Sequence, residues 1–102
     1  MRLVKIEVII NASSGAGNGA AVQQRVAEAF KAIGADARIS LAGDAVEIVE
    51  LAQSAARSDA EGVVAGGGDG TINSVAAAIV DSDKALGAVS YTHLTLPTKR
   101  IV

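Results

Sequence analysis

The sequence predicts an α/β domain in three layers, a parallel β-sheet with helices on both faces. Three observations carry that expectation. Short apolar runs alternate with stretches of helical spacing in the order β-α-β-α-β-α, an order that specifies parallel strands joined by right-handed crossovers. The first run ends in Val8-Ile9-Ile10, and successive apolar residues suit a strand buried on both faces. Glycine-rich segments follow the first and third strands and precede helices, the place where such sheets bind ligands.

Residues 3–10 form the first strand. Residues 11–19 read Asn11-Ala12-Ser13-Ser14-Gly15-Ala16-Gly17-Asn18-Gly19, a loop by composition. Residues 20–33 place Val22, Val26, Phe30 and Ile33 at steps of four, four and three, one helical stripe that Gly34 terminates. Residues 36–41 are the second strand. Asp44 caps a helix that runs to about Arg57 and turns Val46, Ile48, Val49 and Ala52 toward the core. Residues 62–65 are the third strand, residues 66–70 a glycine loop, and residues 71–80 the third helix, with Ile72, Val75, Ala76 and Ile79 inward. Leu86-Gly87-Ala88 opens a fourth strand. With the first strand beside the third, the sheet order is 2-1-3-4 and both glycine loops face one crevice.

At 102 residues the chain has room for one small domain. Nine basic residues against eleven acidic ones give a net charge of −2, which argues against nucleic-acid binding through clustered Lys and Arg. The absence of cysteine excludes a disulfide framework and a cysteine-zinc site. No apolar run approaches the ~20 residues of a membrane span, and the N-terminus lacks a signal peptide's apolar stretch, so the cytoplasm is the expected location.

Composition changes abruptly near the C-terminus. The only Tyr, His and Pro (Tyr91, His93, Pro97) lie there, with three of the four threonines. All eleven acidic residues precede it and only Lys99 and Arg100 of the nine basic ones fall within it, so residues 1–88 carry a net charge of −4. Residues 89–98 resemble the in-frame translation of a transposon-type sequencing adapter, GTC TCT TAT ACA CAT CTG ACG CTG CCG ACG. The expected organisation is a natural segment, 1–88, followed by an adapter-derived tail, 89–102; the alternative is a natural strand with a Pro-containing turn. On the first reading the chain is a truncated fragment.

The glycine segments carry the chemistry. Small residues let a backbone approach a phosphate closely, and the helix that follows points free N–H groups at the anion. Ser13 and Ser14 add hydroxyls to the first segment, and Asn11 can fix its turn. Gly15, Gly17 and Gly19 are spaced by two, which is not the dinucleotide GxGxxG, and no Lys follows as a P-loop requires. A ligand-free structural loop is the other reading of that stretch. The second segment is Gly66-Gly67-Gly68-Asp69-Gly70-Thr71. Consecutive glycines pack poorly, so their place at a strand end suggests close backbone–ligand approach. Asp69 fits there as a carboxylate orienting Mg²⁺ on phosphates, or as a capping residue of the third helix.

Gly67-Gly68-Asp69-Gly70-Thr71-Ile72-Asn73 resembles the GGDGTxN motif of diacylglycerol kinase-type lipid kinases, and Asn11-Ala12-Ser13-Ser14-Gly15 is similar to that family's NPxSG. The likeness covers nearly all of residues 3–88. It implies the diacylglycerol kinase and NAD kinase type of N-terminal domain, with ATP and Mg²⁺ as cofactors. The implied nucleotide-binding residues are Asn11, Ser13, Ser14, Gly15, Ser40, Gly67, Gly68, Asp69, Gly70, Thr71 and Asn73; no metal ligand and no catalytic residue is assigned. The implied activity is transfer of the ATP γ-phosphoryl group to a lipid hydroxyl such as that of diacylglycerol, with transient membrane contact. The general base and a β-rich lipid-binding domain would lie beyond residue 88, which leaves the chain itself inactive and marginally stable. Alternatives are an NAD kinase or phosphofructokinase relative, which shares the GGDGT loop, or a non-catalytic nucleotide-binding module. Two departures stand out. Ala12 replaces the motif Pro, and Ser74 replaces a Glu whose spacing from Thr71 suits a capping box, so a weaker helix start is expected.

Overall fold

The computed structural model describes residues 4–11 and 19–90. Its elements are β1 (Val4–Asn11), α1 (Gly19–Ala32), β2 (Ala35–Ala42), α2 (Ala45–Arg57), β3 (Gly62–Gly67), α3 (Asp69–Ile79) and β4 (Ala85–Ser90). The strands form one sheet in the order β2-β1-β3-β4, parallel throughout. Both the α/β class and the 2-1-3-4 order are therefore as expected.

Strand order dictates the layers. The chain steps from β1 to β2 in one direction, then returns over β1 to β3 and continues to β4. Right-handed crossovers then place α1 on one face and α2 with α3 on the other. Two apolar clusters result. Ile9, Ala42, Val63 and Ala65 pack under Ile48, Ala52 and Ala55 of α2 and Val75 and Ile79 of α3. On the opposite face Val8, Ile10 and Val64 meet Val26 and Phe30 of α1. The Val8-Ile9-Ile10 run feeds both clusters in turn, which is why it does not alternate with polar residues. Each of the three side chains is almost fully buried, worth about 1.5–3 kcal/mol apiece.

Several expected positions differ. Ile33 does not join the α1 stripe but is 71% exposed. The helix ends at Ala32, and the Ile33 and Gly34 N–H groups donate to the carbonyls of Phe30 and Lys31 in a tight turn. Gly34 closes that turn at φ +79°, a conformation that favours glycine. On α2 the buried stripe is Ile48, Ala52 and Ala55, while Val46 and Val49 are 65% and 37% exposed. At ~100° per residue Val49 lies about a quarter-turn from Ile48 and Val46 nearly opposite, so one straight helix cannot bury all of them. β3 continues to Gly67 and α3 begins at Asp69, so the expected loop at 66–70 contracts to Gly68. Of the segment expected to be adapter-derived, residues 89–90 complete β4 and the remainder lies outside the described residues.

The end of the sheet away from the glycine segments is held by polar contacts. Lys84 Nζ donates to the carbonyl oxygens of Ser58 and Ala60 at 2.8 and 2.6 Å, joining the start of β4 to the turn after α2. Replacing Lys84 with Met leaves two carbonyls without their cation, and a stability loss of about 1–3 kcal/mol is expected. A lower urea midpoint at unchanged m-value would show it; an unchanged midpoint would contradict it. Lys5 and Asp59 pair at 2.7 Å on the surface. The hydrogen bond from Lys5, with its charge, holds the Asp59 carboxyl below its ordinary 3.8. A lowered carboxylate stabilises above its unfolded value, and that small contribution fades as pH falls through the folded one.

Candidate nucleotide site

β1 and β3 run side by side, with Ile10 opposite Gly66, and end together. The chain leaves β1 toward α1 on one face and leaves β3 toward α3 on the other. Their carboxyl ends therefore open into the crevice that forms wherever strand order reverses.

Asn11 and Thr71 close the floor of this crevice. Asn11 Nδ2 donates to Thr71 Oγ1 at 3.1 Å, across 60 residues of sequence. Asn11 thus reaches across to α3. Thr71 is the one buried polar side chain among the described residues, at 4% exposure, and this bond gives its hydroxyl oxygen a donor. Gly67 lies against the same pair at φ +152°. A Cβ there would sit 2.9 Å from Thr71 Oγ1 and 3.2 Å from Asn11 Cβ. Only glycine lets β1, β3 and α3 converge so closely.

Above the floor, α3 presents an open N-terminus. Gly68 occupies the N-cap with extended backbone and provides no side-chain cap. The first helical bond runs from Ile72 N–H to Gly68 carbonyl, so the N–H groups of Asp69, Gly70 and Thr71 precede any helical acceptor. Nothing lies within 4 Å of a Cβ built at Gly68 or Gly70. α2 is finished differently. Asp44 Oδ1 accepts from Glu47 N–H at 2.9 Å, and Glu47 Oε1 accepts from Gly43 N–H at 2.6 Å. Its end is closed by its own carboxylates, whereas α3 offers donors and a positive dipole end to an anion.

A cleft of about 450 Å³ lies between the two helices, lined by Asn11, Ala45, Ile48, Gly68, Gly70, Thr71 and Ser74. Four of the residues expected at the site (Asn11, Gly68, Gly70, Thr71) line it, with Gly67 against Asn11 and Thr71. Asp69 is exposed in the first turn of α3, and Asn73 is exposed further along the helix. Ser40 lies two residues before the end of β2, opposite Ile9, and is not among the cleft residues. Ser13, Ser14 and Gly15, like Ala12 and His93, lie outside the described residues.

Thr71 is not the N-cap of α3, so the capping-box spacing to position 74 has no bearing on the helix start. The helix starts two residues earlier than its spacing suggested, which makes Thr71 the third helical residue and Ser74 a wall of the cleft. Ala45 and Ile48 were not expected at the site. No local signal marks them, because they arrive only through the packing of α2 beside α3. Among the described residues no group of three His, Cys, Asp or Glu side chains is placed to hold a metal ion. No helix there is long and apolar enough to cross a membrane.

Two comparisons bear on this arrangement. The family model described as Diacylglycerol kinase catalytic domain matches residues 5–91, well over half of the chain. No curated protein matches.

Proposed function

Since the chain belongs to the diacylglycerol kinase catalytic-domain family, we propose that its cleft is the ATP-binding side of a lipid kinase. On this reading the γ-phosphoryl group of ATP passes to the hydroxyl of a lipid alcohol. The observation that supports it best is the uncapped N-terminus of α3, set where Gly67 lets three segments converge. Phosphoryl transfer needs positioning and charge neutralisation more than covalent chemistry from the protein. The free N–H groups of the first α3 turn would hold phosphate oxygens, with the Asn11–Thr71 bond keeping that turn seated on β1.

Magnesium suits this donor set. The ion is usually bound by one or two carboxylates together with substrate phosphates, not by an all-protein cage. Asp69 is the acidic residue of the first α3 turn and would hold it. Bound there, the ion would neutralise charge on the phosphates. The cleft side chains Asn11, Thr71 and Ser74 are not bases at neutral pH, so none of them would take the lipid hydroxyl's proton. Residues 89–102 we read as adapter-derived. A lipid acceptor requires contact with a membrane surface, which a cytoplasmic protein would make peripherally.

Labelled ATP offered to this protein together with candidate acceptors tests the reading. Diacylglycerol, a sphingoid base, undecaprenol, NAD and a sugar phosphate would serve as acceptors, with ATP binding by the 102-residue chain measured alongside. Phosphorylation of a lipid alcohol is expected. Transfer to NAD or the sugar phosphate, and to no lipid, would move the protein to the NAD kinase and phosphofructokinase branch. Binding without transfer would make it a nucleotide-binding module.

A further inference from the structure

We infer that β2 is a self-pairing edge, through which two copies of this chain join antiparallel into one continuous sheet. The inference is independent of the nucleotide reading above. Among the described residues β2 bonds only to β1, so its far side presents a row of unpaired backbone N–H and C=O groups. Folded proteins blunt such edges with proline, bulges, short strands or charges, above all lysine. β2 has none of the first three. It is eight residues long, and Ala35 to Ala42 pair with Val4 to Asn11 without a break. Gln23 of α1 donates to one carbonyl of the strand, that of Ile39, at 3.4 Å.

Its charges suit a second copy of the same strand. Asp36 and Arg38 are both exposed and, two residues apart, share one face of the sheet. Neither has an ion-pair partner among the described residues. In an antiparallel pairing centred on Ala37, Asp36 of each copy stands opposite Arg38 of the other, giving two ion pairs across the seam. No other antiparallel register pairs both charges, and one centred on Arg38 sets two guanidinium groups against each other. On the opposite face the same register sets Ala35 against Ile39 and Ala37 against Ala37. These side chains are half-buried, Ala37 and Ile39 against the core beneath α1, and the second copy would cover surface they still expose. A two-fold axis relates the contacts, so the edge is complementary to itself and the assembly closes at a dimer. None of the residues lining the cleft lies on β2.

Sedimentation equilibrium of the 102-residue chain over about 5 to 500 µM tests this. A seam this short belongs to the weak class of interface, and a dimer Kd of about 10–100 µM is expected. Asp36→Arg and Arg38→Asp should each raise that Kd by about tenfold or more, because each sets like charges opposite one another. An equimolar mixture of the two variants should associate again, since every charge pair between them is of opposite sign. Recovery in the mixture also separates a lost contact from a lost fold, which circular dichroism checks on each variant alone. A wild-type chain that stays monomeric to about 500 µM would overturn the inference. So would association that neither reversal weakens, which would place the contact on another surface, or a mixture that fails to recover.

Discussion

Replacing Gly67 with valine is expected to abolish nucleotide binding and to lower stability by about 3 kcal/mol or more. Two effects add. A φ of +152° lies where side-chain-bearing residues rarely go, at a cost of roughly 1–3 kcal/mol. The new Cβ would also meet Thr71 Oγ1 at 2.9 Å and Thr71 Cβ at 3.1 Å, closer than such atoms pack. To relieve the contact α3 must move away from β1, which breaks the 3.1 Å Asn11–Thr71 bond and displaces the first turn of α3. Gly70 provides the contrast. A Cβ there meets nothing within 4 Å, and its position is helical. Gly70→Ala should therefore raise stability by up to about 1 kcal/mol through helix propensity while its methyl obstructs the cleft and weakens ATP binding. Urea unfolding and calorimetry on both variants would separate the two glycines. Equal effects from both would mean that the convergence at Gly67 does not govern the site.

On the lipid-kinase reading, Asp69→Asn is expected to lower phosphoryl transfer by about 10²-fold or more, a magnitude typical of losing one electrostatic contact to the reacting group. The fold should barely respond. Asp69 is exposed, and its interaction with the α3 dipole is worth only ~0.3–1 kcal/mol. If its carboxylate holds Mg²⁺ against the phosphates, the variant loses the magnesium dependence of ATP binding along with turnover. Magnesium-free ATP should bind Asp69→Asn no worse than wild type, since one negative charge near the triphosphate has gone. Unchanged turnover and unchanged magnesium dependence would confine Asp69 to its charge interaction with the α3 dipole.

Much of the fold was legible in local signals. The Val8-Ile9-Ile10 run marked a strand buried on both faces, Asp44 marked the start of α2, and Gly34 marked the end of α1. These features depend on a few neighbouring residues and on backbone geometry, which a linear reading contains. The 2-1-3-4 order was also within reach, because right-handed crossovers and two glycine segments facing one crevice leave few arrangements.

The site was legible as a motif but not as a geometry. Gly67, Gly68, Gly70 and Thr71 could be picked out, yet the spacing placed the helix start at Thr71, two residues later than it lies. What moved the boundary was β3: Gly66 and Gly67 pair with β1 or β4 and extend the strand, leaving Gly68 alone to turn the chain into α3. The outward face of α2 was misread for a related reason. Val46, Ile48 and Val49 are all apolar, and only packing against β1, β3 and α3 decides which of them is buried. By itself the sequence determined which segments become strands and helices, where glycine must stand, and which family the chain resembles. Tertiary structure alone decided that Asn11 meets Thr71, that α2 contributes Ala45 and Ile48 to the cleft, and that Ser74 lines it. Those relations join residues far apart in the chain, and they exist only once the sheet has brought its elements together.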